Sequence, residues 1–313
     1  MSLRQRIQDL REVDWDPTHW ARLALVIMGR ALRRLWGRDV MLYVGGVSFF
    51  AMLAVFPGLA IGIGVYSLLA DANEVAHQAE AMARLLPAGA QSLFQAELER
   101  LAQAPFQAVS TQSGVALVVG GYAAHRGFKA LLAGLSFIHD EDAPRGFLGF
   151  NIMALVVLIA AFVMLAFFSA IFFYFRFMAA AFGLKPLAGV SWLYSEWTWA
   201  SFGLTVAMSL IYRFAMSSKP VAWIPSILGG ASAAVLCLFV SWASAFYVEQ
   251  IAHLGATYGS VATVVVFLIW LSWSVNAVFF GGAFATEIEL VVEERRGHLP
   301  LGIDPKLASR SEN

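Results

Sequence analysis

The side chains that could bind a metal ion or transfer protons are scattered along the chain. No two histidines have the His-x-His or His-x-x-x-His spacing of metal ligands; they are His19, His77, His125, His139, His253 and His298. Asp140, Glu141 and Asp142 are consecutive, so their carboxylates point in different directions and suit a solvated loop better than a paired acid and base. No phosphate-binding loop of the form GxxxxGKS or GxxxxGKT is present. We therefore predict no enzyme activity, no metal site, no cofactor and no ATPase of its own.

Three basic side chains, His125, Arg126 and Lys129, follow the apolar segment Gly114–Ala124. Arg126 and Lys129 are three positions apart and share one face of a helix. They could hold the phosphate of a lipid head group, or an anionic solute, at the inner leaflet of a membrane. They could also be snorkelling side chains that only anchor a helix at the membrane surface. The sequence leaves both interpretations open.

Ser272 and Asn276 form a second polar pair, four positions apart in a long apolar segment. On a helix they share a face, so they could line a polar path through the membrane. An interhelical hydrogen bond is the alternative interpretation.

The elements that carry these residues must be membrane helices. Apolar residues make up 59% of the chain, charged residues 13% and aromatic residues 14%. This composition excludes an ordinary soluble protein and predicts an all-α integral membrane protein. The single cysteine, Cys237, can form no disulfide within the chain, and we interpret it as a packing residue.

Six apolar segments are predicted to cross the membrane. The first, Val40–Leu69, contains no charged residue. Pro57 should bend it, because proline removes a backbone hydrogen bond, and the small residues Gly58 and Gly62 should allow close helix packing. The bend is either a packing feature or part of a moving, broken helix. The second predicted span begins near Phe106. The third and fourth cover Phe147–Phe175 and Trp192–Phe214. The fifth runs through FVSWASAFYVEQ, and the sixth covers Tyr258–Glu287.

Two amphipathic segments lie outside these spans. Thr18–Trp36 is predicted to be a helix that lies on an anionic membrane surface, or docks on its own bundle, or does both. Asp71–Ala108 is predicted to form two short helices outside the hydrocarbon layer. The predicted domains are a cytoplasmic N-terminal region (1–39), a six-helix transmembrane domain (40–290) with a periplasmic insertion (71–108), and a cytoplasmic tail (291–313).

The distribution of basic residues predicts the orientation. With the N-terminus in the cytoplasm, seventeen Lys and Arg residues fall on that side and four on the other. This asymmetry follows the positive-inside rule, and an even number of spans places both charged termini together. No cleavable signal peptide is evident. We expect a multi-pass protein of the bacterial inner membrane with both termini cytoplasmic.

Five segments also carry a family resemblance. They are GGVSFFAMLAVFP (45–57), AAHRGFKALLAGLSFIHDEDAPRGF (123–147), LIYRF (210–214), WIPSILGGA (223–231) and ATYGSVATVVVFLIWL (256–271). In this order they resemble the YihY/virulence factor BrkB family, long mislabelled ribonuclease BN. The resemblance covers about residues 31–294 and implies a membrane protein without a settled biochemical activity.

The chain departs from the family pattern at three polar positions. Where the family often has GAELNAE, this chain has GGAFATE, which keeps Glu287 but places Ala283 and Ala285 at the acidic and amide positions. Ser136 replaces the asparagine of the family's ALN. An activity that depends on those groups in relatives would be altered here.

Two functions of different classes are predicted. The first is a transporter or lipid-handling protein, with anionic phospholipids or lipid head groups as partners. The second is an oligomeric scaffold of the cell envelope that moves nothing and recruits a periplasmic partner through Asp71–Ala108. A homo-oligomer is compatible with both, and no nucleic-acid partner is expected. Because the histidines and acidic residues form no nuclease-like group, the ribonuclease name has no support in the sequence.

Overall fold

The computed structural model describes residues 17–36, 40–66, 106–140, 145–181, 195–250 and 261–295. Seven α-helices account for nearly all of these residues. They are α1 (Pro17–Trp36), α2 (Val40–Tyr66), α3 (Phe106–Ile138), α4 (Phe147–Ala181), α5 (Glu196–Phe214), α6 (Trp223–Gln250) and α7 (Val261–Arg295). The predicted periplasmic helices, Asp71–Ala108, lie outside the described residues as far as position 105, and 106–108 already belong to α3. Trp192 and Tyr194 of the fourth predicted span also lie outside the described residues.

Three helical segments among the described residues are long and apolar enough to cross a membrane: Phe147–Phe172, Trp223–Tyr247 and Val264–Glu293. A fourth results if Ala24–Trp36 and Val40–Val55, which meet at 77°, form one broken span. The prediction of an all-α membrane protein is therefore confirmed. The count of six spans stays a prediction.

At one end of the bundle, helices that end there alternate along the chain with helices that begin there. Arg34, close to the end of α1, contacts Asp140 just beyond α3 and Glu287 on the last part of α7. Arg145, just before α4, donates hydrogen bonds to the carbonyl oxygens of Phe214 and Ala215 at the end of α5. We call this region the Arg34 end of the bundle. From α2 to α7, each helix that begins at this end is thus followed by one that ends there.

The main hydrophobic core also lies towards the Arg34 end. Its fully buried members include Leu132 and Leu135 of α3, Tyr212 of α5 and Phe279 of α7. The hydroxyl of Tyr212 is the polar group among these four side chains, so its burial requires a hydrogen-bond partner. The Tyr212 hydroxyl donates to the carbonyl oxygen of Val278 over 2.6 Å. This core fixes the relative positions of the helices that carry the polar residues described below.

Glycines let α6 and α7 approach closely. A Cβ atom added to Gly229 would lie 2.6 Å from the carbonyl oxygen of Gly281, and one added to Gly281 would lie 2.7 Å from the carbonyl oxygen of Gly229. Such distances are too short for any side chain. In a membrane, where helices gain little from burying apolar surface, close backbone approach is a principal source of packing energy.

Helix α1 both docks on the bundle and presents an apolar stripe outwards. Its Ile27, Ala31 and Leu35 are buried, and it packs against α7. The adjacent exposed stripe consists of Leu25, Met28, Leu32 and Trp36. Docking of α1 on its own bundle, one of the two predicted arrangements, is therefore observed. The exposed stripe, beside the exposed Arg30 and Arg33, is compatible with the membrane-surface arrangement as well.

Candidate functional site

A buried ion pair connects the first and last helices. The Nε atom of Arg34 donates to Oε1 of Glu287 over 2.8 Å, and Nη2 lies 2.7 Å from the same oxygen. The Glu287 side chain is only 7% exposed and that of Arg34 is 14% exposed. Both charges are thus largely removed from water, and the Glu287 carboxylate is stabilised mainly by Arg34.

Arg34 also holds the end of α3. Its Nη1 atom donates to Oδ2 of Asp140 over 2.7 Å and to the carbonyl oxygen of Ile138 over 3.0 Å. Asp140 has a φ angle of 56°, in the left-handed region that only glycine, asparagine and aspartate adopt readily. The guanidinium therefore joins α1, α3 and α7 through a planar set of donors that a lysine could not reproduce.

A second polar contact joins α3 to α7 beside this ion pair. The Nδ1 atom of His139 lies 3.1 Å from Oγ1 of Thr286, and its Nε2 atom lies 3.9 Å from Oε2 of Glu289. Glu289 also accepts a hydrogen bond from the backbone N–H of Ala222 over 3.2 Å. Thr286, Glu287 and Glu289 thus place three polar side chains within one turn of α7.

Arg145 stabilises the neighbouring helix end. Its guanidinium donates to the carbonyl oxygens of Ala215 over 2.8 Å, Phe214 over 3.0 Å and Ser217. These groups belong to the end of α5, where carbonyl oxygens have no partner within the helix and carry the negative end of the helix dipole. Ser136 donates to the carbonyl oxygen of Met216 over 2.9 Å. Arg145 and Ser136 therefore have structural contacts at the Arg34 end.

The predicted basic residues lie elsewhere on α3 and do not converge on a common partner. Arg126 is exposed, and its Nε atom donates to the hydroxyl of Tyr122 over 3.1 Å. Lys129 is half-buried, with Nζ 5.6 Å from the centre of the Phe147 ring on α4. His125 is half-buried, and its Nδ1 atom is buried with no hydrogen-bond partner among the described residues.

Ser272 and Asn276 are in contact, but within one helix. The Nδ2 atom of Asn276 donates to the backbone carbonyl oxygen of Ser272 over 2.8 Å. This bond is neither the predicted interhelical bond nor evidence of a polar path. A small pocket lies nearby between α6 and α7, and its lining residues are Ser244, Tyr247, Val266, Ile269 and Trp273.

Helix α2 continues through Pro57 to Tyr66. A Cβ atom added to Gly120 of α3 would lie 2.5 Å from the Cβ atom of Pro57, so the proline packs directly on this glycine. A Cβ atom added to Gly58 would meet nothing within 4 Å. Gly62 lies within α2, but its surroundings are outside the described part of the chain. Pro57 therefore makes a helix-packing contact, while the predicted bend, with its packing and moving-helix alternatives, stays a prediction.

Sequence reasoning missed the polar cluster at the Arg34 end. The sequence predicts no specific role for Arg34 and His139 and places Asp140 in a solvated loop. Glu287 enters the predictions only as the end of the sixth span and as a residue kept from the family pattern. A usable signal was present in α7, because acidic residues at positions 287 and 289 directly continue a long apolar segment.

Among the described residues, no group of three or more His, Cys, Asp and Glu side chains is placed to hold a metal ion. The absence of a metal site stays a prediction. The polar cluster contains a guanidinium at its centre, which favours an ion-pair network over a cation site.

The fold defines a class, an all-α membrane protein, and sequence comparison then gives the family. The model of the family described as "Virulence factor BrkB" matches residues 31–301. The chain therefore belongs to the virulence factor BrkB family, and the predicted resemblance is confirmed.

A curated relative, a UPF0761 membrane protein of Nitrosospira multiformis, is 32% identical over 84 residues. The match covers 27% of this chain and 20% of the relative, so the chain spans about a fifth of that relative's length. No solved structure gives a significant match.

Proposed function

We propose that the chain is a lipid-handling or transport protein of the bacterial inner membrane, and that it binds anionic phospholipid head groups through Arg126 and Lys129. We further propose six spans with both termini in the cytoplasm, which places the Arg34 end on the cytoplasmic side. Because no nucleotide-binding loop is recognised, transport would draw on a gradient or on a partner protein.

The observation that carries the proposal is the arrangement of Arg126. Tyr122 accepts a hydrogen bond from the Nε atom, and the guanidinium carbon lies 5.3 Å from the centre of the tyrosine ring. Tyr122 thus contacts the guanidinium both through its hydroxyl and through its aromatic ring. Among the described residues, the two terminal amino groups of Arg126 have no hydrogen-bond partner. A phosphate can accept two parallel hydrogen bonds from such a group.

The surface around Arg126 matches the order of parts in a phospholipid. Helical spacing places Val115, Val118, Tyr122, Arg126 and Lys129 along one stripe of α3. The two valines and Tyr122 are exposed, so they can contact acyl chains, and the cations follow towards the Arg34 end. Basic residues at such a level attract anionic lipids of the cytoplasmic leaflet.

The scaffold function is supported by a different observation. In the most apolar part of α4, Phe147–Phe172, only 11% of the residues are buried. An apolar helix with so little burial contacts either lipid or a second copy of the chain. The tightly packed core at the Arg34 end also favours a rigid bundle over a wide channel at that level.

The proposal is tested by the phospholipids that remain bound after detergent extraction, measured by mass spectrometry against a zwitterionic lipid. We expect Arg126→Lys and Lys129→Gln each to lower the retained anionic fraction. A hydrogen bond to a charged group contributes about 1.5–3 kcal/mol, so the loss should be about ten- to a hundredfold in affinity. Arg30→Lys, at an exposed arginine of α1, is the matched control. Unchanged ratios in both variants would leave membrane anchoring as the role of these residues and favour the scaffold.

A further inference from the structure

His139 contacts α7 through both of its ring nitrogen atoms. Nδ1 is 3.1 Å from Oγ1 of Thr286, and Nε2 is 3.9 Å from Oε2 of Glu289. The side chains of His139 and Glu289 are each 18% exposed, so water reaches the pair without surrounding it. Two groups that titrate are therefore held together at the junction of α3 and α7.

The hydrogen bonds of Thr286 determine which nitrogen of His139 carries a hydrogen atom. The Thr286 hydroxyl donates its single hydrogen to the carbonyl oxygen of Gly282, one turn earlier, over 3.0 Å. Towards His139 the same oxygen must then accept, so Nδ1 carries the hydrogen. In a neutral ring, Nε2 would be a bare lone pair directed at a carboxylate. One additional proton, on Nε2 or on Glu289, removes this repulsion.

The surrounding charges leave His139 as the cation best placed for Glu289. Among the described residues, the titratable and charged side chains on the helices and helix ends that meet at the Arg34 end come from several elements. They are Arg34 of α1, Tyr43 of α2, Asp140, Arg145, Arg213 and Lys219 near helix ends, and Glu287 and Glu293 of α7.

The neighbouring arginines are already engaged. Arg34 is bound to Asp140 and Glu287. Arg145 donates to carbonyl oxygens of the α5 end, and Arg213 donates to the carbonyl oxygen of Val221 over 2.5 Å. Lys219 is exposed.

We propose that His139 and Glu289 form a proton-binding site in which the pair takes up one proton, on Nε2 or on the carboxylate, across their 3.9 Å contact. In its protonated form the site joins the end of α3 to α7. Asp140, the next residue, is bound by Arg34, so the proton also stabilises the docking of α1. The site does not depend on the proposed head-group site at Arg126.

The direct test is nitrogen NMR of the full-length protein labelled with 15N-histidine, recorded between about pH 5 and pH 9 to bracket the ordinary histidine pKa of about 6.5. The signal of His139 is assigned by its loss in His139→Gln. If that variant does not fold, assignment uses Thr286→Val, which removes the acceptor at Nδ1. We expect a neutral ring with its hydrogen on Nδ1. We also expect a titration midpoint that falls by about one pH unit or more in Glu289→Gln, since an adjacent carboxylate favours the charged ring.

Glu293→Gln is the matched control, because Glu293 lies one helical turn beyond Glu289 and is exposed. Because the charge of Glu293 acts on Glu289, this variant should shift the midpoint, but by less than Glu289→Gln does. A neutral ring protonated on Nε2, or the same midpoint in Glu289→Gln and the parent protein, would overturn the proposal.

A second readout is the apparent Tm of the detergent-solubilised protein across the same pH range. The folded state favours the protonated form, so its stabilisation is present at low pH and is lost as the pH rises through the titration. Glu289→Gln should flatten this dependence while Glu293→Gln retains it. An equal dependence in all three proteins would contradict the site.

Discussion

Arg34 and Glu287 are 253 positions apart in the chain, yet the guanidinium and the carboxylate meet at 2.8 and 2.7 Å with little exposure to water. This pair joins the first described helix to the last. Because Arg34 also binds Asp140, a single side chain holds three helix ends at one place.

Arg34→Gln should strongly destabilise the folded protein. It leaves the Glu287 charge buried without its partner, and the loss of one member of a buried ion pair costs about 3–5 kcal/mol. The check is the apparent Tm in detergent, with Arg33→Gln as the control at an exposed neighbouring arginine.

The double variant Arg34→Gln with Glu287→Gln removes both charges and should recover a large part of the stability lost in the two single variants. Replacing both members of a buried pair is commonly close to neutral. If the double variant were as unstable as the two single losses added together, the residues would not act as a pair.

Gly229→Ala should destabilise the crossing of α6 and α7. The new methyl group would lie 2.6 Å from the carbonyl oxygen of Gly281 and 2.7 Å from the Cβ atom of Ala285, so the helices must separate. Overpacking of this kind costs about 1–3 kcal/mol, against a gain in helix propensity of up to about 1 kcal/mol.

Gly45→Ala is the matched control for Gly229→Ala, because a Cβ atom added to Gly45 meets nothing within 4 Å. It should keep or slightly raise the apparent Tm. Equal effects of the two substitutions would mean that the close crossing is not what requires glycine at position 229.

Much of the helical framework could be predicted from the sequence, because long uncharged segments leave few alternatives. Phe147–Phe175 was predicted as a span, and α4 begins at Phe147. The end of α7 was harder to predict. The charged residues after Glu287 indicated the start of a tail, but the helix continues to Arg295 because Glu287 and Glu289 find partners inside the bundle.

The polar cluster could not be predicted, since its members come from distant parts of the chain. Metal-ligand spacing is a local pattern, and each histidine lies in a different segment. His139 contacts Thr286 and Glu289, which lie three positions apart on another helix. Only the fold brings His139 to these two residues. Local pairs are different: the spacing of Tyr122 and Arg126, four positions apart, is visible in the sequence.

The proposed orientation is tested by cysteine labelling in a Cys237→Ser background. A cysteine at Gln91 should react with an impermeant thiol reagent from the periplasmic side. A cysteine at Ser309 should react only after the membrane is permeabilised. Both expectations follow from seventeen basic residues on one side and four on the other. The reverse pattern would place the Arg34 end in the periplasm.

The proposed head-group site is tested most directly by an experimental density map of the protein in a bilayer disc that contains an anionic phospholipid. We expect phosphate density within hydrogen-bonding distance of the terminal amino groups of Arg126. The acyl chains should lie along Val115 and Val118. The same map from Arg126→Lys should lose the phosphate density and keep the bundle. A well-ordered Arg126 with no adjacent density, or density unchanged in Arg126→Lys, would contradict anionic-lipid binding at this site.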